Sequence, residues 1–397
     1  MLKQSFRNAS PLRLRTITSA ALARGKRVLL RVGWDDPPQL RIERTRKTLN
    51  FLIRHGCRVI LCAYRGRPEG RYVAALSLKP TARLARRMLN IPLTFVPATS
   101  GALVERAASR LKPGQCMLLE NTRFDPREEA NDPGLAREWA TLCDLYIDDS
   151  FSTAHRAYAS TEAITHQLPS YAGFGLSEEV TVLSKVRSNP RRPLVVIVSG
   201  AKVSTKIVVL KKMFALADTI VVGGGIANTI LAARGCAVGS SLVDRDHLAI
   251  AKVFGASKKL IPIRDVVVSR SHTQSRGKRI VQLDDRVHPI LPDESIVDIG
   301  PLTMAEVSSR VARARTVVWN GPLGIYEVPA FRDATRTLIS AIHASKALSV
   351  IGGGDTIDAL ESMRSLNSDF SLISTGGGAM IEFLEGRALP GIKPLIR

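Results

Sequence analysis

Aromatic residues make up only 5% of this 397-residue chain, and cysteine is scarce. The five cysteines, at 57, 62, 116, 143 and 236, show neither CxxC spacing nor histidine partners. That excludes an obvious disulfide framework or zinc site and fits a reducing compartment. No run of about 18 apolar residues offers a membrane span. A charged fraction of 23% beside 45% hydrophobic residues argues against wholesale disorder. There is no tandem repeat and no low-complexity tract, so solenoids and linker-dominated architectures drop out. What remains is a soluble globular chain long enough for two or three domains.

Acidic residues are missing where basic ones are dense. The net charge is +22, yet residues 1–110 hold 23 Lys and Arg against 5 Asp and Glu, whereas residues 111–180 hold 5 against 12. Such a basic block suits nucleic acid, an anionic membrane or a small anionic substrate. Nucleic acid ranks low, because the basic half lacks the interleaved aromatics that stack on bases. The first 24 residues carry four Arg, one Lys and no acid. They superficially resemble an organellar transit peptide, but they read more simply as a short basic extension without a secretory core, and the cytoplasm is the expected location.

Short runs rich in Val, Ile and Leu alternate with stretches of helical spacing, the pattern of an α/β protein with buried parallel strands. The expected strands are Arg27 to Val32, Arg58 to Leu61, Leu93 to Phe95, Met117 to Leu119 and Leu145 to Asp148, then Leu194 to Ser199, Thr219 to Val222, Ile263 to Val268, Thr316 to Trp319, Leu348 to Ile351 and Phe370 to Ile373. Ser177, followed by Glu178 and Glu179, reads as the start of a helix linking two domains of similar size, with Asn189 and Pro190 at its end.

Four strands of the second half end in glycine-rich turns: SGAK at 199–202, GGG at 223–225, GGGDT at 352–356 and STGGG at 374–378. Ligands of open α/β sheets sit outside the carboxyl ends of the strands, so these turns are expected to converge on one crevice. Gly200 leads toward a helix beginning near Val203, where free N–H groups favour phosphate, and Lys202 and Lys206 share one helix face. The GxxxxGK[ST] spacing is absent. Read locally, Asp355 is either a helix cap or a carboxylate holding Mg2+ against nucleotide phosphates, and Glu327 is either a solvated charge or a ribose contact. In the first half, Arg41, Arg67, Arg123 and Arg156 lie at or just after strands, where their planar forks suit phosphate or carboxylate.

Ten segments, RGKRVLLRVGWDDP, RGRPEG, LLENTRF, YIDDSFSTAHRAYAS, SGAKVSTKI, VVGGGIANTIL, DIGPLT, VVWNGPLGIYE, IGGGDT and STGGGAMIEFLEGRALPG, occur in the order and spacing of phosphoglycerate kinases, and the chain resembles that family from about residue 14 onward. The resemblance implies two Rossmann-like domains with parallel sheets flanked by helices, joined by an interdomain helix and hinge. The boundaries expected are an acid-substrate domain over 1–175, a linker over 176–193, a nucleotide domain over 194–382 and a returning segment over 383–397. It implies a monomeric phosphotransferase with a carboxyl acceptor, moving phosphate between ATP and 3-phosphoglycerate with Mg2+. By the same resemblance Arg41, Lys206 and Gly377 are catalytic. Arg67, Arg123 and Arg156 grip the acid's phosphate, Gly200, Lys202, Gly224, Asn320, Glu327, Gly353, Gly354 and Thr356 hold nucleotide, and Asp355 holds magnesium.

The departures cluster in the acid pocket. Gly33 stands for the family's Asp, Asp35 for its Asn, Tyr64 and Arg65 for its His and Leu, and Tyr158 for its second His. Losing the Asp is expected to leave a hole and an unpaired substrate hydroxyl, worth roughly 1 to 3 kcal/mol. Asp35 is expected to oppose an anion, with Arg65 offsetting it. Two alternatives stay open at this point: a paralogue that takes another acid phosphate, and a non-catalytic nucleotide-binding protein with a decayed acid site.

Overall fold

The computed structural model describes residues 12–201, 204, 207–274, 277–285, 287–365 and 370–397. It divides into two compact units. The first runs to Ser184 and includes Gly378–Arg397; the second is Lys185–Gly377.

The first unit is built on strands β1 (Arg27–Val32), β2 (Arg58–Cys62), β3 (Leu93–Val96), β4 (Cys116–Leu119), β5 (Leu145–Asp149) and β6 (Ser170–Ala172), in the order β3-β4-β2-β1-β5-β6. All pairs are parallel. Register places Met117, Ile60, Leu29 and Tyr146 in one row across the sheet and Leu118, Leu61, Leu30 and Ile147 in the next. Because side chains alternate along a strand, these rows enter separate cores on opposite faces. A sheet covered on both faces needs apolar residues at successive positions, which is why these strands read as unbroken apolar runs.

The helix Pro38–Arg54 follows β1 and buries Ile42, Thr45, Leu49 and Leu52, a helical repeat that clamps it to the sheet. Trp34, fully buried, donates its indole N–H to Thr45 Oγ1 at 3.1 Å and so ties the loop after β1 to this helix. The C-terminal segment runs beside the chain's start: Arg15 N–H donates to Leu395 O at 2.8 Å, and Arg397 N–H to Arg13 O at 3.0 Å.

The second unit contains β7 (Leu194–Ser199), β8 (Thr219–Gly223), β9 (Asp265–Ser269), β10 (Arg279–Gln282), β11 (Ser295–Ile299), β12 (Thr316–Asn320), β13 (Leu348–Gly352) and β14 (Leu372–Ser374). Five form a parallel sheet ordered β14-β13-β12-β7-β8. The run Ile263 to Val268, expected among the parallel strands, lies instead in a separate antiparallel sheet ordered β10-β9-β11. Its apolar composition records burial and says nothing of strand direction. β6, β10 and β11 lie outside the expected strands; β6 and β10 span three and four residues, and the pairing of β11 slips between Ile296 and Asp298.

The helix expected to start at Ser177 runs from Phe174 to Ser188. Ser177 is not its cap: its hydroxyl meets Thr16 Oγ1 at 2.7 Å, while Asp149 Oδ1 accepts the Leu176 N–H at 2.9 Å. Among the described residues no helix is long and apolar enough to cross a membrane.

Candidate active site

The four singled-out arginines of the first unit come from four neighbouring strands. Arg41 lies on the helix after β1, Arg67 follows β2, Arg123 sits in the 3-10 turn Thr122–Phe124 after β4, and Arg156 follows the turn Phe151–Thr153 after β5. In a parallel sheet all these strand ends share one edge, so the topology collects guanidinium groups that are far apart in the chain. Arg67 and Arg156 are exposed, with no side-chain hydrogen bond to any described residue. Arg41 Nη1 and His155 Nδ1 are buried without a hydrogen-bond partner among the described residues. Buried polar atoms of this kind are uncommon unless something is to be bound there. Burial first, then Arg156, keeps His155 below its ordinary pKa, which favours the neutral ring.

The altered positions form a set of contacts. A Cβ at Gly33 would stand 2.8 Å from Ser150 Oγ and 2.9 Å from Ser152 Oγ. The expected hole is therefore absent, because serine hydroxyls from the loop after β5 fill it. They continue as a chain, with Ser150 Oγ 3.3 Å from both Ser152 Oγ and Thr153 Oγ1, and Tyr64 Oη 3.4 Å from Ser152 Oγ. Asp35 Oδ1 accepts the Gly66 N–H at 3.0 Å, bracing the turn after β2. Arg65 pairs with Asp36 at 2.8 Å, not with Asp35, so the expected offset of the Asp35 charge is not the pairing formed. Tyr64 and Tyr158 converge on Arg123, whose guanidinium carbon lies 4.0 Å and 5.4 Å from their ring centres.

Beneath these loops is a buried polar network that sequence reasoning missed. Arg31, fully buried on β1, donates from Nε to Ser160 Oγ at 2.9 Å, from Nη1 to Val32 O at 2.6 Å and from Nη2 to Thr153 Oγ1 at 3.1 Å. Glu128, equally buried, accepts from Ser160 N at 2.9 Å and Thr122 Oγ1 at 3.2 Å. Burial raises the Glu128 carboxyl, against the pull of Arg31. The network joins the loops after β1, β4 and β5 into one rigid support. Its only signal was a charged residue inside an apolar strand.

In the second unit the turns after β7, β8, β12, β13 and β14 lie on one edge of the parallel sheet. They meet through backbone. Gly224, at φ +58°, opens the helix Gly224–Ala233, and its Cβ would come within 3.1 Å of Gly200 O. Gly353, at φ +104°, opens the helix Gly354–Ser362, and a Cβ there would lie 2.8 Å from Asn320 Nδ2. Asn320 Nδ2 donates to Gly352 O at 2.9 Å, and Thr356 Oγ1 accepts the Gly321 N–H at 2.7 Å. A Cβ on Gly377 would stand 3.2 Å from Gly353 Cα. Neither helix that starts at Gly224 or Gly354 has a side-chain cap. The Gly224 and Ile226 N–H groups donate to Leu323 O at 3.3 Å and Gly200 O at 3.1 Å, so it is the Gly354 helix that offers its first N–H groups to an anion.

Asp355 is exposed in the first turn of its helix and is not the cap, because Gly353 holds that position. Tyr326 lies among Glu327, Asp358 and Asp355; burial first, then these carboxylates, push its hydroxyl up to about 12. Among the described residues no three His, Cys, Asp or Glu side chains group as a metal site. A lone accessible carboxylate fits a cation that arrives already bound to phosphate oxygens. Lys202 and Lys206 lie outside the described residues.

The fold and its strand ends define a two-unit α/β protein, with arginines gathered on one sheet edge and open glycine turns on the other, suited to two anionic ligands. The chain belongs to the phosphoglycerate kinase family, whose model matches residues 18–387. It is 42% identical over 385 residues to the phosphoglycerate kinase of Herpetosiphon aurantiacus, covering 94% of this chain and 96% of that one. It is also 42% identical over 383 residues to that of Moorella thermoacetica, at 93% and 96% coverage. Among solved structures it resembles phosphoglycerate kinase from Coxiella burnetii, with TM-score 0.81, 39% identity and coverage of 95% and 98%. For the Pyrococcus horikoshii enzyme the TM-score is 0.86 at 25% identity, with coverage of 96% and 98%.

Proposed function

We propose that this chain is a phosphotransferase with a carboxyl acceptor, moving a phosphoryl group reversibly between 1,3-bisphosphoglycerate with ADP and 3-phosphoglycerate with ATP. The observation that carries this reading is the family match across residues 18–387, at about two-fifths identity to enzymes of that name.

In the direction of ATP use, a carboxylate oxygen of the acid bonds to the γ-phosphorus while the bond to the β,γ-bridging oxygen breaks and ADP leaves. Such a transfer asks the protein for in-line placement and for cations on the equatorial oxygens. Arg67, Arg123 and Arg156 hold the acid's phosphate. Arg41, with a buried Nη1 in want of an acceptor, steadies the phosphoryl group in flight. On the nucleotide side Lys202 and Lys206 supply charge, Gly200, Gly353, Gly354 and Gly377 supply backbone N–H groups, and Gly224, Asn320, Thr356 and Glu327 shape the cleft. Asp355 would hold Mg2+, which neutralises phosphate charge when bound. The reaction requires the acid and the nucleotide to come into line, which a hinge between the units would provide. The hydroxyls of Tyr64, Ser150 and Ser152, grouped beside Gly33, would offer the acid's alcohol hydrogen-bond partners, so Gly33 need not abolish recognition. We further propose a cytoplasmic monomer, in keeping with five free cysteines.

A coupled assay with purified protein, Mg-ATP and 3-phosphoglycerate tests the reading. Turnover well above background is expected, and background turnover with intact Mg-ADP binding would overturn it.

A further inference from the structure

The guanidinium of Arg123 is held from several sides, and among the described residues one of the contacts is negatively charged. Nη1 donates to Gly66 O at 2.6 Å, Nη2 faces Tyr158 Oη at 3.4 Å, and the Tyr64 ring lies 4.0 Å away. These neutral contacts fix its plane. The charged neighbour is Glu129, whose Oε1 stands 3.1 Å from Nε and accepts a hydrogen bond from the Tyr158 hydroxyl at 3.1 Å.

The pairing has an incomplete character. Despite the short distance, Nε is buried and makes no hydrogen bond to any described residue, so Glu129 supplies charge from a direction that does not satisfy the N–H. The Arg123 side chain is only 10% exposed, whereas that of Glu129 is 41% exposed and free to swing toward water. A buried donor left without an acceptor costs stability, and an incoming anion in better line would recover that cost. Glu129 is the last residue of the short helix Pro126–Glu129, and the neighbouring Glu128 is locked into the Arg31 network, so the helix stays in place when the Glu129 side chain moves.

We propose that Glu129 is a built-in competitor for the acid: it occupies Arg123 when no substrate is bound, is held there by Tyr158, and sets how tightly the pocket takes a phosphorylated carboxylic acid. This rests on the proposed function, with Arg123 part of the acid grip. The contrary role, a residue that orients Arg123, predicts the opposite sign. Orientation is already provided by Gly66, Tyr64 and Tyr158, so removing the Glu129 charge should release the guanidinium for the ligand rather than loosen it.

The test is calorimetric titration of 3-phosphoglycerate into wild type, Glu129→Gln, Tyr158→Phe and Glu138→Gln at low and at moderate ionic strength. Glu138 pairs with Arg127 at 2.6 Å, so its variant makes the same net charge change on a different ion pair. Glu129→Gln is expected to bind the acid about tenfold tighter at low salt, with the advantage shrinking as salt screens the pair. Tyr158→Phe, which unfastens Glu129, is expected to gain about twofold to threefold, and Glu138→Gln to match wild type. Equal or weaker binding by Glu129→Gln overturns the proposal, as does an equal gain in Glu138→Gln. If neither wild type nor Glu129→Gln binds the acid while both bind Mg-ADP, the acid substrate itself is wrong and the competitor role falls with it.

Discussion

One sheet edge of this protein presents side chains, and the other presents backbone. At the ends of β1, β2, β4 and β5 the groups offered are guanidinium, phenol and hydroxyl, held by the Arg31 and Glu128 network below. At the ends of β7, β8, β13 and β14 the turns are rich in glycine, and at Gly224, Gly225, Gly353 and Gly377 they approach so closely that an added Cβ would meet a neighbouring backbone or amide. The difference bears on how each site can change. A side-chain site tolerates change at single members, because a neighbouring hydroxyl or ring can take up the space, as the Ser150 and Ser152 hydroxyls do beside Gly33. A backbone site has no such spare parts.

The sharpest way to break this comparison is Arg41→Ala. Its buried Nη1 has no hydrogen-bond partner among the described residues, so the folded chain should lose little stability, while kcat falls by about a thousandfold or more. Mg-ADP affinity, measured by titration, should stay at the wild-type value. A parallel loss of nucleotide affinity would show that the two sites are not separable in this way.

Next in size is Gly225→Ala. The new Cβ would lie 2.0 Å from Ala201 O, a backbone atom that can yield only if the turn after β7 moves. A loss of about 2–3 kcal/mol in stability is expected by denaturant titration, together with weakened nucleotide binding. Unchanged stability would refute the claim that these turns are close-packed through backbone.

A pH titration compares the units from within. Burial pushes Asp148 in the first unit and Asp298 in the second up to about 7. Arg31 opposes the shift at Asp148, whereas Asp298 has chiefly the Ala334 and Ile299 N–H groups to oppose it. Both pKa values lie above the unfolded value near 3.8. The folded chain therefore binds these protons more tightly than the unfolded chain does. Their contribution to stability is fully present below about pH 4 and is lost as pH rises toward 7. Asp298→Asn should flatten that decline by about 1–3 kcal/mol across the window, whatever its effect on baseline stability. An unchanged slope would mean that Asp298 titrates normally.

The smallest effect expected is Gly33→Ala. Its Cβ would also make close contacts, at 2.8 and 2.9 Å, but with hydroxyl ends that can rotate. A change within about 0.5 kcal/mol is expected in thermal unfolding. A loss as large as that of Gly225→Ala would erase the distinction between the two edges.

Much of this was legible in one dimension. Strands buried on both faces announce themselves as apolar runs, which is why β1, β2, β7 and β12 fall within a residue of their expected bounds. Arginines at strand ends and glycines at turns are local features too, and their ordered motifs carried the family resemblance. The sequence by itself determined the alternation of strand and helix and the residues at the strand ends.

Only the tertiary structure decided which groups meet at Gly33, Asp35, Tyr64 and Tyr158. Nothing in the spacing says that Ser150 and Ser152 close the space over Gly33, that Asp35 braces the turn at Gly66, or that two tyrosines 94 positions apart meet on Arg123. Nor could apolar composition say that β9 runs antiparallel in a sheet of its own. The physical reason is the same in each case. Periodicity and composition report whether a residue is buried, but which groups share a volume depends on strand order and register, and these follow from packing across the whole sheet.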